Sequence, residues 1–255
     1  MAMHKLIKGG KRDHSDSGHR PFISVITVSF NAVAHIKNCI QSVLNLSSQD
    51  VEHLIIDGGS TDGTLEILQD HNQQIAYWQS EPDRGIYHAM NKSLKLAQGQ
   101  WLLFLGADDQ LLPGFAEMIP YLKNPNCIYY GDYISNNKRY GGKFSTYRLA
   151  KSNICHHNIF YPQRVFNKYQ YQEKYSISAD HFLNIQCWAD QEFQWKYYPF
   201  IIADFSSEGV SSKNTDPVFD TDRYSIIKKH LGLTPYLRYL FRQLKGRLKK
   251  PPVSC

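Results

Sequence analysis

The stretch FISVITVSF (Phe22–Phe30) is an almost continuous run of β-branched and aromatic residues. Such a run is typical of a strand that is buried on both faces, as in a parallel sheet. In residues 31–47, which follow, Ile36, Ile40 and Val43 recur at helical spacing and predict an amphipathic helix. A buried strand that leads directly into a helix is the first half of a β-α-β unit.

The same alternation continues over about the first 110 residues. Each later strand is predicted from a short apolar run, and each helix from helical spacing between turn residues. The predicted strands are VEHLIID (51–57), IAYWQSE (75–81) and QWLLFLGADD (100–109), and the predicted helices are LEILQDH (65–71) and DRGIYHAMNKSLKLAQG (83–99). This alternation predicts an α/β fold, with a mainly parallel central sheet covered by helices on both faces.

The pattern is looser after Asn124. We predict a strand at 127–134, a short strand or loop at 141–149, a helix at 178–190 that opens at Ser178 or Asp180, a strand at 193–206 and a helical tail at 224–250. We therefore expect a flexible lead at 1–20, a main domain at 21–215 whose two halves meet between 113 and 114, and a basic helical tail at 216–255.

The composition, with 42 % hydrophobic and 20 % charged residues among 255, is that of a globular protein. Five scattered cysteines without CxxC spacing argue against zinc and a disulfide framework and favour reduced thiols in the cytosol. The polar N-terminus does not read as a signal peptide, and the longest apolar runs are too short to span a bilayer. We expect a cytoplasmic protein, either soluble or peripheral on a membrane.

Positive charge is concentrated at the C-terminus, where Arg223–Lys250 contains no Asp or Glu. The apolar residues of this segment form one helical stripe, and the basic residues lie largely outside it. The stripe is Leu237, Leu240, Phe241, Leu244 and Leu248, and the bases are Arg238, Arg242, Lys245, Lys249 and Lys250. Two interpretations stay open: a solvated helix that packs on the domain through its stripe, or an interfacial helix attracted to anionic lipid. No nucleic-acid motif appears, so we expect no nucleic-acid partner.

The sequence lacks two common nucleotide-binding motifs. No GxGxxG follows the first strand and no GxxxxGK[ST] occurs, which argues against NAD-type and P-loop sites. The stretch DGGSTDGT resembles a calcium loop, but Leu68 occupies the position of the required acid.

Polar residues instead follow the ends of all four predicted strands. They are Asn31, Asp57, Glu81, Asp83 and the pair Asp108-Asp109. Ligands of parallel sheets bind beyond the carboxyl ends of the strands, so one crevice is expected to collect these residues. Carboxylate oxygens are preferred by Mg²⁺ and Mn²⁺. From spacing alone, a metal site and a solvated turn are equally compatible with Asp108-Asp109.

Four segments together carry a family resemblance: SVITVSFNA, LIIDGGSTDGT, WQSEPDRGIYHAMNKSLKLAQGQWLLFLGADD and SADHFLNIQCW. They resemble family 2 glycosyltransferases with the GT-A fold, densely over Phe22–Pro113 and in order through about Trp188. The resemblance implies an inverting transfer from a nucleotide-diphosphate sugar, with UDP-hexose or UDP-N-acetylhexosamine as the expected donor and Mn²⁺ or Mg²⁺ as cofactor. It also implies a glycan or polyprenyl-lipid-linked acceptor in bacterial exopolysaccharide, O-antigen or capsule assembly. Residues 21–113 would then form the nucleotide-sugar half and 114–215 the acceptor half.

The resemblance assigns the donor pocket residue by residue. It places Thr27, Ser29 and Asn31 at the start of the pocket, Asp57 on the base, Asp83 and Arg84 on the donor, and Asn91 as a support. It makes Asp109 the metal ligand and directs Asp108 to the ribose or a metal-bound water. This chain has Ala107-Asp108-Asp109, without the first acid of a strict Asp-x-Asp motif, which leaves the coordination open. Asp83 and Arg84 also precede a predicted helix, whose N-terminus favours anions, although Asp83 could simply cap it.

The acceptor side has two candidates by the same resemblance. Asp180 matches the general base that takes the acceptor's proton, with Asp190 and Asp204 as weaker candidates and helix capping as the structural alternative. His157, in ICHHNIFY, would contact the diphosphate or the metal or orient the acceptor; the alternative is a structural histidine.

Two other classes of function remain as alternatives. One is a non-catalytic sugar-nucleotide or glycan-binding module with the same fold, against which the intact acids Asp57, Asp108, Asp109 and Asp180 argue. The other is a retaining glycosidase, which requires two carboxylates about 5 Å apart. A fold with a nucleotide pocket argues against the glycosidase.

Overall fold

The computed structural model describes residues 6–14, 20–46, 50–206 and 215–248. The strands are β1 (Ile7–Gly9), β2 (Ile23–Ser29), β3 (Val51–Asp57), β4 (Tyr77–Ser80), β5 (Trp101–Gly106), β6 (Gln110–Leu111), β7 (Cys127–Ser135), β8 (Lys138–Tyr140), β9 (Ile159–Pro162) and β10 (Gln194–Asp204).

The α-helices are α1 (Ile36–Leu46), α2 (Thr64–Asp70), α3 (Ile86–Ser93), α4 (Gly114–Met118), α5 (Thr146–Lys151), α6 (Arg164–Lys168), α7 (Ala179–Ala189), α8 (Pro217–Ile226) and α9 (Leu233–Leu248). A π-helical segment, Ile227–Leu231, joins α8 to α9, and a 3₁₀ turn, His156–Asn158, precedes β9.

The described strands form a single mixed sheet in the order β1-β4-β3-β2-β5-β9-β7-β10-β6, with β8 paired to β7. The block β4-β3-β2-β5 is parallel, as is the pair β7-β10. Strands β1, β6, β8 and β9 pair antiparallel with their neighbours. The predicted α/β fold with a mainly parallel centre is confirmed, and the antiparallel strands lie where the sequence pattern was looser or had predicted no strand.

The register of the parallel block aligns the strand ends that carry polar residues. Ser29 of β2 lies opposite Asp57 of β3, which lies opposite Ser80 of β4. Residues at the middle of these strands are fully buried because the sheet has apolar clusters on both faces, one of them built on Phe104 and another on Leu103. Alternate residues of β5 therefore fill opposite faces, which explains its unbroken apolar sequence.

Three local predictions need correction. The lead at 1–20 is not wholly irregular, since β1 pairs with β4 and a 3₁₀ turn follows at Lys11–His14. The edge of the parallel block leaves the N–H and C=O groups of β4 available, and β1 satisfies them. The segment 141–149 enters a helix, α5, which Ser145 caps by accepting a hydrogen bond from the backbone N–H of Arg148. Finally, α3 ends at Ser93, several residues before Gly99.

The C-terminal segment is only partly a separate tail. Phe219 and Ile226 of α8 belong to the main core, so the packed part of the chain extends beyond residue 215. Helix α9 packs through Tyr239, whereas the predicted stripe residues Leu237, Phe241 and Leu244 are exposed. Of the residues predicted for this stripe and its flank, the Leu248 side chain, Lys249 and Lys250 lie outside the described part. In the described residues, every helix is too short or too polar to cross a bilayer.

Candidate active site

A cleft of about 870 Å³ opens at the carboxyl ends of β2 and β5. Its walls come from the β2–α1 connection, the start of α3, the Asp108-Asp109 turn, the 3₁₀ turn at His156–Asn158 and the start of α7. The cleft therefore joins the N-terminal half of the domain to the C-terminal half. Of the residues that the strand-end prediction placed in one crevice, Asn31, Asp83, Asp108 and Asp109 line it, whereas Asp57 and Glu81 do not.

Asp109 lies at the base of this cleft and is almost completely buried. Its Oδ1 accepts a hydrogen bond from the backbone N–H of Ser206 (3.0 Å) and its Oδ2 accepts one from that of Gly106 (3.2 Å). Burial, followed by the negative charge of Asp108, raises the pKa of Asp109 to about 7. A buried carboxylate that has only two hydrogen-bond donors is stabilised in its ionised form by a nearby positive charge. Asp108 lines the same cleft and is half-buried.

His157 supplies a second buried group beside Asp109. Its Nδ1 lies 3.7 Å from Asp109 Oδ2, and its ring stacks on Phe205 and meets the edge of Tyr133. Neither ring nitrogen has a hydrogen-bond partner among the described residues. Burial, and then the charge of His156, hold the pKa of His157 well below its ordinary value, so the ring is neutral and can act as a ligand.

The neighbouring His156 completes a group of three possible ligands. One ligating atom each of Asp109, His156 and His157 lies within 4.8 Å of the others. The buried His157 ring, whose nitrogens have no partner among the described residues, and a carboxylate with only backbone N–H donors fit a divalent cation. The sequence analysis singled out His157 and not His156; the adjacent histidine in ICHHNIFY was the available signal.

Asp180 lies across the cleft, in the first turn of α7. Its carboxylate accepts hydrogen bonds from Asn153 Nδ2 (2.7 Å), Tyr87 Oη (3.0 Å) and the backbone N–H of His181 (2.8 Å). Nδ1 of His156 lies 3.3 Å from Asp180 Oδ2. Burial alone would raise the pKa of Asp180, but the hydrogen bond and charge of His156 leave it below its ordinary value. The carboxylate is therefore ionised at neutral pH.

Asp180 does not occupy the N-cap position of its helix, although its carboxylate accepts a hydrogen bond from the first-turn backbone N–H of His181. Ser178 occupies that position and makes no side-chain capping bond. The acid is thus held by side chains from α3, the α5–β9 connection and its own first turn. The weaker base candidates, Asp190 and Asp204, do not line the cleft. Asp190 is bound by Lys168 and Tyr169 instead.

Asp57 lies behind the cleft and is fully buried. Its two oxygens accept five hydrogen bonds, which come from the Ser29, Ser60 and Ser80 hydroxyls and from the backbone N–H groups of Gly59 and Ser60. In this structure the carboxylate orders the turn after β3. Its predicted contact with a nucleotide base stays a prediction.

The three predicted residues of β2 and its end have different positions. The Thr27 side chain is buried within the domain, where its hydroxyl lies 2.9 Å from His53 Nε2, so it does not reach the cleft. Ser29 and Asn31 do line the cleft. Asn31 has a positive φ of 50° and its side chain accepts a hydrogen bond from the backbone N–H of Thr61.

Phe30 is a residue that the residue-by-residue assignment missed. Its side chain is 66 % exposed and lines the cleft between Ser29 and Asn31. The sequence signal was an aromatic residue at the carboxyl end of a buried strand, where a parallel sheet binds ligands. An exposed aromatic ring in a cleft provides a surface for a flat ligand.

The block around α3 divides between the cleft and the surface. Asp83 lines the cleft; its Oδ1 contacts His88 and Lys92, while its buried Oδ2 has no partner among the described residues. Arg84 does not line the cleft, and its exposed side chain pairs with Glu173 at 2.9 Å, so its predicted contact with the donor stays a prediction. Asn91 binds the backbone N–H and C=O of Tyr171, so it supports α3 from outside the cleft.

Comparisons with known proteins show the class of protein to which this sheet and cleft belong. The family described as Glycosyl transferase family 2 matches residues 24–185. A "PGL/p-HBAD biosynthesis glycosyltransferase" of Mycobacterium tuberculosis is 35 % identical over 211 residues, which cover 78 % of this chain and 82 % of that protein. Chondroitin synthase of Escherichia coli is 31 % identical over 176 residues, or 63 % of this chain and 26 % of the synthase.

Two solved structures share the fold. TarS of S. aureus in complex with UDP has a TM-score of 0.63 at 16 % identity, over 82 % of this chain and 64 % of that one. The mannosyltransferase PcManGT from Pyrobaculum calidifontis, in complex with GDP-Man and Mn²⁺, has a TM-score of 0.60 at 13 % identity, over 91 % of this chain and 82 % of that one. The chain belongs to glycosyltransferase family 2.

Proposed function

We propose that this glycosyltransferase moves a hexose or N-acetylhexosamine from a UDP-sugar, with inversion, to a glycan or lipid-linked acceptor in cell-surface polysaccharide or glycolipid synthesis. One observation carries the proposal: the ionised carboxylate of Asp180 and the possible ligands Asp109, His156 and His157 line the same cleft. The names of the relatives, one in PGL/p-HBAD biosynthesis and one a chondroitin synthase, support the substrate class. The UDP bound to TarS supports the donor class.

The donor side of the proposed site lies at the carboxyl ends of β2 and β3. Phe30 is proposed to stack on the nucleotide base, since its exposed ring faces the cleft. Asp57 would accept a hydrogen bond from the base after Ser60 releases it. Asp83 would receive a hydrogen bond from the donor at its unpartnered Oδ2. Asp108 would contact the ribose or a water bound to the cation.

Asp109 and His157 would hold the cation, and His156 would join them as a ligand in its unprotonated form. A bound divalent cation neutralises the charge that develops on the leaving diphosphate. We favour Mn²⁺ over Mg²⁺, because imidazole nitrogens are softer ligands than the oxygens that Mg²⁺ prefers. The Mn²⁺ present with GDP-Man in PcManGT is consistent with this choice.

Asp180 is proposed to act as the general base. The acceptor hydroxyl oxygen forms a bond to the anomeric carbon while the bond from that carbon to the diphosphate oxygen breaks. UDP leaves with the electron pair, and Asp180 takes the hydroxyl proton. Asn153, Tyr87 and His156 hold the carboxylate in place, and its lowered pKa keeps it unprotonated before the reaction.

The reaction is proposed to occur in the cytoplasm, where nucleotide sugars are the donors, and at the inner face of the cytoplasmic membrane when the acceptor is lipid-linked. The absence of a helix able to span a bilayer among the described residues is compatible with a peripheral attachment.

Release of UDP, GDP or dTDP from a panel of nucleotide sugars tests the donor proposal. We expect metal-dependent UDP release that EDTA abolishes, and a product of opposite anomeric configuration by NMR. A retained configuration would overturn the inverting mechanism. Binding of UDP-sugar without any release, with and without added glycan acceptors, would favour the non-catalytic module.

A further inference from the structure

Helix α9 is attached to the domain by a few side chains. Tyr239 is buried against Ala150 of α5 and Ile227, and Tyr236 packs at the edge of the same cluster. The guanidinium of Arg238 lies 4.2 Å from the ring centre of Tyr147, which is also in α5. These contacts with α5 and Ile227 fix the orientation of the whole helix.

The opposite side of α9 exposes four large apolar side chains in a line. Leu233 is 59 %, Leu237 52 %, Phe241 69 % and Leu244 50 % exposed. Their spacing of four, four and three residues aligns them along one helical stripe, which we call the tail stripe. A contiguous row of this kind differs from single exposed apolar residues, which are normal, and marks an interaction surface.

The surroundings of the tail stripe are positively charged. Arg238, Arg242 and Lys245 are exposed on α9, and Lys228 and Lys229 are exposed just before it. No Asp or Glu occurs anywhere after Asp222. A partner that matches this surface must present an apolar region to the tail stripe and negative charge to the basic residues beside it. The interface of a bilayer with anionic lipids has both properties.

We propose that α9 lies in the interface of an anionic membrane, with the tail stripe in the acyl region and the basic residues at the headgroups. The inference deepens the proposed location of the enzyme and is independent of the transfer reaction. A second copy of this chain is a poorer occupant, because pairing two tail stripes would bring basic residues of like charge together. Nucleic acid would match the charge but leave the apolar stripe exposed.

This orientation would bring the acceptor side of the cleft toward the membrane. Helix α5, on which α9 packs, is followed within two residues by Asn153, which lines the cleft and binds Asp180. A lipid-linked acceptor could thus reach the proposed base without leaving the surface.

Co-sedimentation of the full chain with vesicles tests the proposal. We expect binding to phosphatidylcholine vesicles that contain phosphatidylglycerol and much weaker binding to pure phosphatidylcholine. Arg242→Glu with Lys245→Glu should weaken binding at least about 30-fold, since each basic residue contributes a factor of about five near the surface. Leu237→Ser with Phe241→Ser should weaken it at least about tenfold and in both vesicle types.

The matched controls are Lys37→Glu with Lys95→Glu, two exposed bases of the N-terminal half, and Val218→Ser, an exposed apolar residue of α8. These variants should bind vesicles as the wild type does. UDP-sugar hydrolysis in solution, and the thermal unfolding curve, should be unchanged in every variant, which separates the membrane surface from the transfer site. Arg242 and Lys245 are exposed to solvent, so their double substitution still tests the proposal if the Leu237→Ser, Phe241→Ser protein does not fold.

Three results would overturn the proposal. The first is that the wild type does not bind anionic vesicles, and the second is that the tail-stripe and charge variants bind them as tightly as the wild type. The third is a wild-type dimer in sedimentation velocity that the serine pair makes monomeric. Loss of donor hydrolysis with intact vesicle binding would instead count against the proposed transfer function alone.

Discussion

At the scale of single residues, the site depends on how burial changes the charge of its acids. Asp109 and Asp180 are both nearly inaccessible, yet their pKa values move in opposite directions. Asp180 has four hydrogen-bond donors around it, including His156, whereas Asp109 has two backbone N–H groups and the negative Asp108 nearby. Asp180 is therefore ionised at neutral pH, whereas Asp109 is the acid whose ionised form a bound cation would stabilise.

The raised pKa of Asp109 predicts a pH-dependent affinity for Mn²⁺. The cation needs the ionised carboxylate, so affinity should fall at least about tenfold from pH 8 to pH 6, with net proton release on binding. In the metal-free protein, protonated Asp109 contributes stability that is lost as pH rises through about 7, because its folded-state pKa lies above the ordinary value. Titration calorimetry in two buffers of different ionisation enthalpy measures both affinity and proton release. Affinity that is constant over this range would exclude Asp109 as a ligand.

Asp180→Asn tests the base. We expect kcat to fall by about 10²–10⁴-fold, because the amide cannot take the acceptor proton, while Mn²⁺-UDP affinity stays within about threefold. Calorimetry measures the affinity, and a coupled UDP assay measures kcat. Loss of UDP binding together with turnover would give Asp180 a structural role. Asp190→Asn, at an acid outside the cleft that Lys168 and Tyr169 hold, is the control and should keep kcat.

At the scale of elements, the parallel strands set the position of the donor side, and loops from the second half complete the site. The β2–α1 connection, the Asp108-Asp109 turn and the start of α3 follow directly from the β-α-β pattern. The histidine turn before β9 and the first turn of α7 reach the cleft only because β9 inserts antiparallel between β5 and β7. A strand inserted out of chain order leaves no local sequence signal, so sequence periodicity could not predict this arrangement.

Asp216 links helix α8 to the segment that leads into α7. It caps α8 by accepting a hydrogen bond from the backbone N–H of Phe219, and its other oxygen accepts two from Ile177 and Ser178. Asp180 follows two residues later, so this buried carboxylate fixes the approach to the proposed base.

Asp216→Ala should therefore lower the free energy of unfolding by about 1–3 kcal/mol, since it removes a cap and leaves backbone N–H groups unsatisfied. It should also lower kcat more than it changes UDP affinity. Urea unfolding and steady-state kinetics measure the two effects. Asp220→Ala, at an exposed position of the same helix, should stay within about 0.5 kcal/mol of the wild type. A destabilised Asp216 variant with unchanged kcat would show that the link does not affect the base.

At the scale of the whole molecule, the C-terminal segment has one part that packs into the core and one part whose apolar side chains are exposed. Phe219, Ile226 and Ile227 are almost completely buried, whereas most apolar side chains of α9 face outward. The boundary that we placed at residue 216 from the sequence therefore marks a change in charge composition, but the folded core continues across it.

Two truncations separate these parts. Removal of 233–255 deletes the contacts of Tyr236 and Tyr239 and should reduce the free energy of unfolding by about 2–3 kcal/mol. Removal of 217–255 also exposes the cavity left by Phe219, Ile226 and Ile227 and should cost several kcal/mol more, on the order of 2 kcal/mol for each buried side chain. Urea unfolding of both proteins measures the difference. Equal stability of the two would mean that α8 does not belong to the core.

The sequence by itself determined the α/β class, the strands and helices of the first half and the acids at the strand ends. These features are encoded by local periodicity and by the fact that parallel strands end at one edge. Only the tertiary structure decided that Arg84 faces solvent, that His156 joins Asp109 to Asp180, and that the apolar residues of α9 are not its packing face. Each of those outcomes depends on which distant segment packs beside the residue, and spacing along the chain does not carry that information.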